Sequence, residues 1–176
     1  MTILYIETST NVCSVAVSEN SNLLFSVSNS EGMNHAAMLS LFIEEALNQL
    51  KNSNKKLDAV AVSSGPGSYT GLRIGVSTAK GLCYGLDIPL IAISTLEIIT
   101  IAALTKIEDK GNFLICPMID ARRMEVYAAF YNSRIEVFRE IAADIIDQSS
   151  YNEILNKHKV YFLGNGAEKC KEMLQH

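Results

Sequence analysis

Apolar and polar positions divide the chain into short runs of strand type followed by longer runs of helix type. Residues 3–6, 12–18 and 23–27 are apolar or alternating and bounded by Asn, Ser or Glu, the pattern of three strands joined by polar turns. The period then lengthens. Asn34 stands where it would cap a helix over 35–50, followed by a buried strand over 57–63, a helix over 71–85, a strand over 90–93 and a helix over 95–104. The charged connector 106–112 leads to a second strand run at 113–119, 125–131 and 135–139. A helical stretch between 142 and 157, a strand over 159–163 and a last helix after Gly164-Asn165-Gly166 complete the pattern. The order βββαβα therefore occurs twice, which predicts lobes at residues 1–105 and 113–176. Glu7 then corresponds to Asp120, and Gly65–Gly67 to Gly164–Gly166.

Two helices carry more apolar surface than one core needs. At 100° per residue, Leu39, Phe42, Ile43, Ala46, Leu47 and Leu50 share one side of the first helix and predict its core face. Met38 and Leu41 fall outside it, near Glu44, Glu45 and Asn48, and predict an exposed apolar strip. On the second helix Gly71, Gly75, Ala79 and Cys83 recur every four residues, a ridge suited to close packing on a sheet with Leu72, Leu82 and Leu86. The opposite side carries Arg73, Ile74, Ser77, Lys80, Gly81 and Tyr84. An interior glycine costs a helix about 1 kcal/mol relative to alanine, so Gly75 and Gly81 require a compensating close approach. Docking against another helix at about 8–10 Å would supply it, and an ordinary mixed surface is the other reading.

Between strand and helix runs Ser63-Ser64-Gly65-Pro66-Gly67-Ser68-Tyr69-Thr70-Gly71-Leu72-Arg73. A Walker A loop is excluded, because five residues separate Gly65 from Gly71 and Leu72-Arg73 follow in place of Lys-Ser/Thr. The dinucleotide fingerprint fails at Thr70, where its third glycine belongs. Ser68 or Thr70 can cap the helix, whose first amides favour an anion. The stretch reads equally as a tight strand-to-helix connection.

Composition narrows the chemistry. With 48% apolar and 19% charged residues the 176-residue chain is globular, and its formal charge of −4 offers no long-range attraction to nucleic acid, so any RNA contact should be shared with a partner. Cys13, Cys83, Cys116 and Cys170 lack Cys-x-x-Cys spacing and no secretory leader opens the chain, which predicts reduced thiols in a cytoplasmic protein. The apolar stretch 88–104 contains Pro89 and Glu97 and falls short of the roughly 20 residues that span a bilayer, so it reads as a buried strand followed by a helix. The three histidines, His35, His158 and His176, form no metal-gripping pair. His35, at a helix start, reads as a solvated or capping residue. Neither His-Glu-x-x-His nor Gly-x-Ser-x-Gly occurs. The hydroxyl-rich turn Glu7-Thr8-Ser9-Thr10 could donate to a phosphate, but no Lys or Arg accompanies it, which favours capping of its own backbone.

As a string, the stretch from Ser63 to Gly75 resembles the signature of the TsaB (YeaZ) family. The opening Ile3-Leu4-Tyr5-Ile6-Glu7-Thr8-Ser9-Thr10 with Cys13-Ser14-Val15-Ala16-Val17, and the block Ile119-Asp120-Ala121-Arg122-Arg123-Met124-Glu125-Val126-Tyr127, resemble two further parts of that family. The duplicated unit, with acidic strand ends facing a cleft, resembles the architecture of actin, Hsp70 and sugar kinases. The resemblance implies an α/β, two-lobed actin-like ATPase (ASKHA, ribonuclease H-like) fold. Relatives continue well past the strand at 159–163, so the second lobe is expected to be abbreviated. It further implies a noncatalytic subunit supporting TsaD, with the TsaE ATPase, in threonylcarbamoylation of the tRNA adenosine next to the anticodon. Weak homodimers and tRNA contact only through the complex follow from the same likeness, with no cofactor and no metal. Partner binding falls to Met38, Leu41, Arg73, Ile74, Ser77, Lys80, Gly81 and Tyr84. Glu7, Thr8, Ser9, Thr10 and Asp120 would be a vestigial phosphate loop. TsaD itself carries a His-x-x-x-His pair after the strand that follows the glycine loop's helix, where this chain has Ser94-Thr95-Leu96-Glu97-Ile98-Ile99. Arg122-Arg123 read as a solvated hairpin turn or as a shared tRNA or partner contact. The alternatives are a stand-alone actin-like nucleotidase or kinase, and a glycoprotease-like peptidase.

Overall fold

The computed structural model describes residues 1–30 and 34–174. The chain forms two compact units, Met1–Ser94 and Thr95–His176. The first contains β1 (Thr2–Glu7), β2 (Cys13–Glu19), β3 (Asn22–Asn29), α1 (His35–Asn52), β4 (Ala59–Ser63), α2 (Tyr69–Leu86) and β5 (Leu90–Ile93). Its five-stranded sheet has the order β3-β2-β1-β4-β5. The meander β1–β3 is antiparallel, whereas β4 and β5 run parallel to β1. On one face Leu4, Ile6, Val15, Val17, Val60 and Val62 meet Leu39, Phe42, Ile43, Ala46 and Leu50 of α1 and Ala79 and Cys83 of α2. Full burial of a Val, Leu, Ile or Phe side chain of this kind contributes roughly 1.5–3 kcal/mol.

The second unit contains α3 (Thr95–Leu104), β6 (Phe113–Asp120), β7 (Glu125–Asn132), β8 (Val137–Ile145), α4 (Asn152–Leu155), β9 (Lys159–Leu163) and α5 (Ala167–Cys170). Its sheet, β8-β7-β6-β9, repeats the order of the first four strands of unit one, with an antiparallel meander and a parallel fourth strand. This duplicated order is that of the ribonuclease H-like, actin-like ATPase fold. Leu96 and Ile99 of α3 pack on Ile119, Ala129 and Tyr131. The helix therefore groups with the second sheet, and the division falls after Ser94 where the sequence suggested residue 105.

Local differences from the sequence reading have physical causes. Helix α2 starts at Tyr69, two residues earlier than expected, because the Ser68 hydroxyl caps it by accepting from Gly71 N at 3.2 Å. Asn34 occupies the cap position of α1, yet its side chain makes no capping hydrogen bond. The helical stretch expected between 142 and 157 shrinks to Asn152–Leu155, because Ala142, Ala143 and Ile145 pair with Ala128, Tyr127 and Glu125 and extend β8. Tertiary pairing here overrides the helix preference of the Ala-Ala step. Ile135, expected to open that strand, lies in the preceding turn at φ 65°. Strand β5, expected to be buried, is the edge of its sheet and is partly exposed.

Candidate functional site: a helix face and two strand-end turns

The turn after β1 is built around contacts to α2. Thr8 and Ser9 are buried, and the Thr8 hydroxyl donates to the Gly71 carbonyl at 2.8 Å. A Cβ on Gly71 would overlap the Thr8 carbonyl, and one on Gly75 would overlap the Thr8 hydroxyl. Gly67 sits as tightly on the Ser9 carbonyl, and Ser68 N donates to that carbonyl at 2.6 Å. The glycines of the loop and ridge thus let α2 and its leading loop lie on the Glu7–Thr10 turn. Glu7 Oε1 accepts from Ser9 N at 2.6 Å and from the Ser63 hydroxyl at 3.0 Å. Thr10 Oγ1 accepts from Val12 N at 3.2 Å. Most polar groups of the Glu7–Thr10 turn are therefore satisfied by the protein itself, while the buried Ser9 hydroxyl has no partner among the described residues.

His35 is neither solvated nor a cap. It is buried, and its Nε2 donates to the Thr10 carbonyl at 2.9 Å, tying the start of α1 to the same turn. His176 lies outside the described residues. Among the described residues no three His, Cys, Asp or Glu side chains are grouped to hold a metal ion.

In the second unit Asp120 is the counterpart of Glu7 at the strand end. Its Oδ1 accepts from Arg122 N at 2.9 Å and pairs with the Lys169 ammonium, and its own N–H donates to Asn165 Oδ1 at 3.0 Å. The Lys169 hydrogen bond is the main reason the Asp120 carboxyl lies below the usual carboxylate range. Gly164, at φ 95°, lies on the Met118 carbonyl much as Gly67 lies on that of Ser9. The two halves share this loop-on-strand-end packing. Asp120 belongs to a different unit from Glu7, Thr8, Ser9 and Thr10.

The expected partner-binding residues separate into two groups. Arg73, Ser77, Lys80, Gly81 and Tyr84 are exposed along α2, and Leu41 is exposed on α1. Met38 and Ile74 are only half exposed, because both pack on the core of the first unit. A Cβ on Gly81 would meet nothing within 4 Å. Gly75 is thus explained by Thr8, and Gly81 by no contact among the described residues.

Sequence reasoning missed Tyr69. It is 69% exposed, and the Arg73 guanidinium lies over its ring at 4.4 Å from the centroid. The residues Tyr69, Arg73, Ser77, Lys80 and the 92% exposed Tyr84 form a stripe at helical spacing along α2. The periodicity would have reached Tyr69 had the helix been started at Ser68. Leu86, expected to pack on the sheet, is 49% exposed at the end of that helix.

The duplicated sheet order and the glycine-packed strand ends define a protein of the actin-like ATPase, ribonuclease H-like class, here carrying an uncovered aromatic and basic helix face on its first unit. A family model described as "TsaD: tRNA N6-adenosine threonylcarbamoyltransferase" matches residues 27–174. The chain is 33% identical to the tRNA threonylcarbamoyladenosine biosynthesis protein TsaB of Bacillus subtilis (strain 168), over 99% of this chain and 76% of that protein. It is 36% identical to the TsaB of Escherichia coli (strain K12) over 74% of this chain, spanning 55% of that protein. The solved YeaZ structure from Pseudomonas aeruginosa matches with a TM-score of 0.79 at 26% identity, over 99% of this chain and 81% of that one. The chain belongs to the TsaB (YeaZ) family.

Proposed function

We propose that this chain is a noncatalytic subunit in the making of threonylcarbamoyladenosine in tRNA, and that it acts by docking a TsaD relative on the exposed face of α1 and α2. The family's name supports the pathway. The observation that carries the docking reading is Gly81, a helix-interior glycine whose Cβ position is open and which is flanked by exposed Lys80 and Tyr84. Glycine there weakens the helix by about 1 kcal/mol relative to alanine with no compensating contact among the described residues, and close approach of a partner helix would offset it. Tyr84, about one turn from that opening, and Tyr69 and Arg73, toward the start of the same helix, are of the types enriched at binding hot spots.

A noncatalytic role is favoured by the Glu7–Thr10 turn, where Glu7, Thr8 and Thr10 are engaged by the protein itself. Weak self-association through the same face, recruitment of a TsaE ATPase to the complex and a cytoplasmic site of action belong to the same proposal. No helix among the described residues is long and apolar enough to cross a membrane. Co-purification with the TsaD relative from the same cell, resolved by mass, tests the reading. A stoichiometric complex supports it, and a chain that never associates contradicts it.

A further inference from the structure

The β6–β7 hairpin presents two adjacent arginines in a backbone conformation that residues with side chains seldom adopt. Arg122 has φ 74° and Arg123 has φ 46°, and both are exposed. Such successive left-handed residues persist only where their surroundings hold them. Lys169 on α5 holds this turn from beneath. Its ammonium donates to the Arg123 carbonyl at 2.7 Å and to the Glu125 carbonyl at 2.7 Å, and it pairs with Asp120. Asp120 in turn accepts from Arg122 N, and the Glu125 and Arg122 backbones close the turn with a 3.1 Å hydrogen bond. Asn165 fastens the neighbouring loop to Asp120 N.

The electrostatic consequence is specific. Lys169 takes up the Asp120 carboxylate, and neither guanidinium has a hydrogen-bond or ion-pair partner among the described residues. Two forked cations are thereby held outward on a fixed turn, although the chain as a whole is acidic at −4. Planar guanidinium groups match phosphate oxygens in pairs, and such contacts fix a nucleic acid in place without reading its sequence.

We infer that the Arg122–Arg123 turn, set by Lys169, is a contact for the phosphate backbone of an RNA. This rests on the proposed function, which supplies tRNA as the RNA, and adds the surface that touches it.

The experiment measures binding of an unmodified tRNA transcript to the complex of this chain with its TsaD relative, across a salt series. Arg122→Asn with Arg123→Asn removes both charges while keeping a residue that tolerates positive φ. The double variant is expected to weaken tRNA binding tenfold or more. It should also make the slope of log affinity against log salt shallower by about 1.4–1.8, at 0.7–0.9 per lost phosphate contact. Assembly with the TsaD relative and the melting temperature should stay as in the wild type. Lys169→Met, which leaves both arginines in place, should weaken tRNA binding as well, and Arg→Lys at both positions should keep most of the salt slope. Unchanged affinity and slope in the double variant would overturn the inference, as would loss of assembly with the TsaD relative, which would make the turn a protein contact. If the wild-type chain never joins the TsaD relative, the proposed function fails, and the same titration on the chain alone decides the inference. An arginine-dependent salt slope would then sustain it, and an arginine-independent one would end it.

Discussion

Thr8 and Gly75 occupy one space between them: the Thr8 hydroxyl lies where a Cβ on Gly75 would stand, and it is held there by the Gly71 carbonyl 2.8 Å away. A helix and a strand end are thereby locked together through the absence of a side chain. The same logic separates the glycines of α2 into two the fold needs, Gly71 and Gly75, and two whose Cβ positions are open, Gly81 in the helix interior and Gly85 near its end.

Gly75→Ala should destabilise the chain by about 1–3 kcal/mol, since overpacking against a β-branched residue forces a shift of helix or turn. Gly81→Ala should stabilise it by up to about 1 kcal/mol, because the added methyl enters open space on a helix. Urea unfolding curves of the two variants check both signs.

The isolated chain should turn over neither ATP nor peptides at a measurable steady rate. Glu7 is engaged by Ser9 N and the Ser63 hydroxyl, and Asp120 by Lys169 and Arg122 N. Phosphate-release and peptide-cleavage assays on the wild type, Glu7→Ala and Asp120→Ala are expected to give the same background. Turnover abolished in either variant would promote a nucleotidase.

Asp109, in the connector before β6, accepts from the Lys159 ammonium at 2.8 Å, from Gly111 N at 2.8 Å and from the Tyr161 hydroxyl at 2.9 Å. These donors, Lys159 foremost, pull its carboxyl down to about 2. A carboxyl depressed on folding contributes stability that is present above its unfolded value of roughly 3.9 and is lost as pH falls through the folded value. Carboxyl NMR titration should place Asp109 near 2 in the wild type and closer to the ordinary range in Lys159→Met. Acid unfolding between about pH 4 and pH 2 should be less steep in Asp109→Asn.

Self-association, where it occurs, should use the α1 and α2 face and give way to the TsaD relative. Sedimentation of mixtures is expected to show heterodimer growing at the expense of homodimer. A species containing both a homodimer and the TsaD relative would contradict a shared face.

Much of this was legible in the residues. The repeated βββαβα order, the core side of α1 and the buried ridge of α2 all follow from periodicity, because burial on one face imposes it. The chain was less legible where pairing partners distant in sequence decide the outcome, as at Ala142–Ala143, which extend β8 only because β7 lies beside them. The role of Gly75 could not be read either, since glycine spacing says that a helix packs closely without saying that Thr8 is what it packs on. Met38 and Ile74 lie at the margin of their helix faces, and a wheel cannot resolve a half-buried position. Arg122 and Arg123 were visible as a charged pair. Their left-handed backbone and the Lys169 support beneath them were not, because Lys169 is 46 residues away from Arg123 in sequence.

The docking face is tested most directly by Gly81→Leu. Leucine is the better helix former and its side chain enters open space within the chain, so the melting temperature should hold or rise slightly. Against a partner helix at 8–10 Å the same side chain would force the two apart. Calorimetric titration with the TsaD relative should show affinity reduced at least about tenfold, a change of roughly 1.4 kcal/mol. Lys80→Glu should be milder and depend on salt, and Arg123→Ala should leave the protein contact unchanged. Wild-type affinity in Gly81→Leu, or affinity lost only together with a collapsed melting curve, would contradict docking through this face.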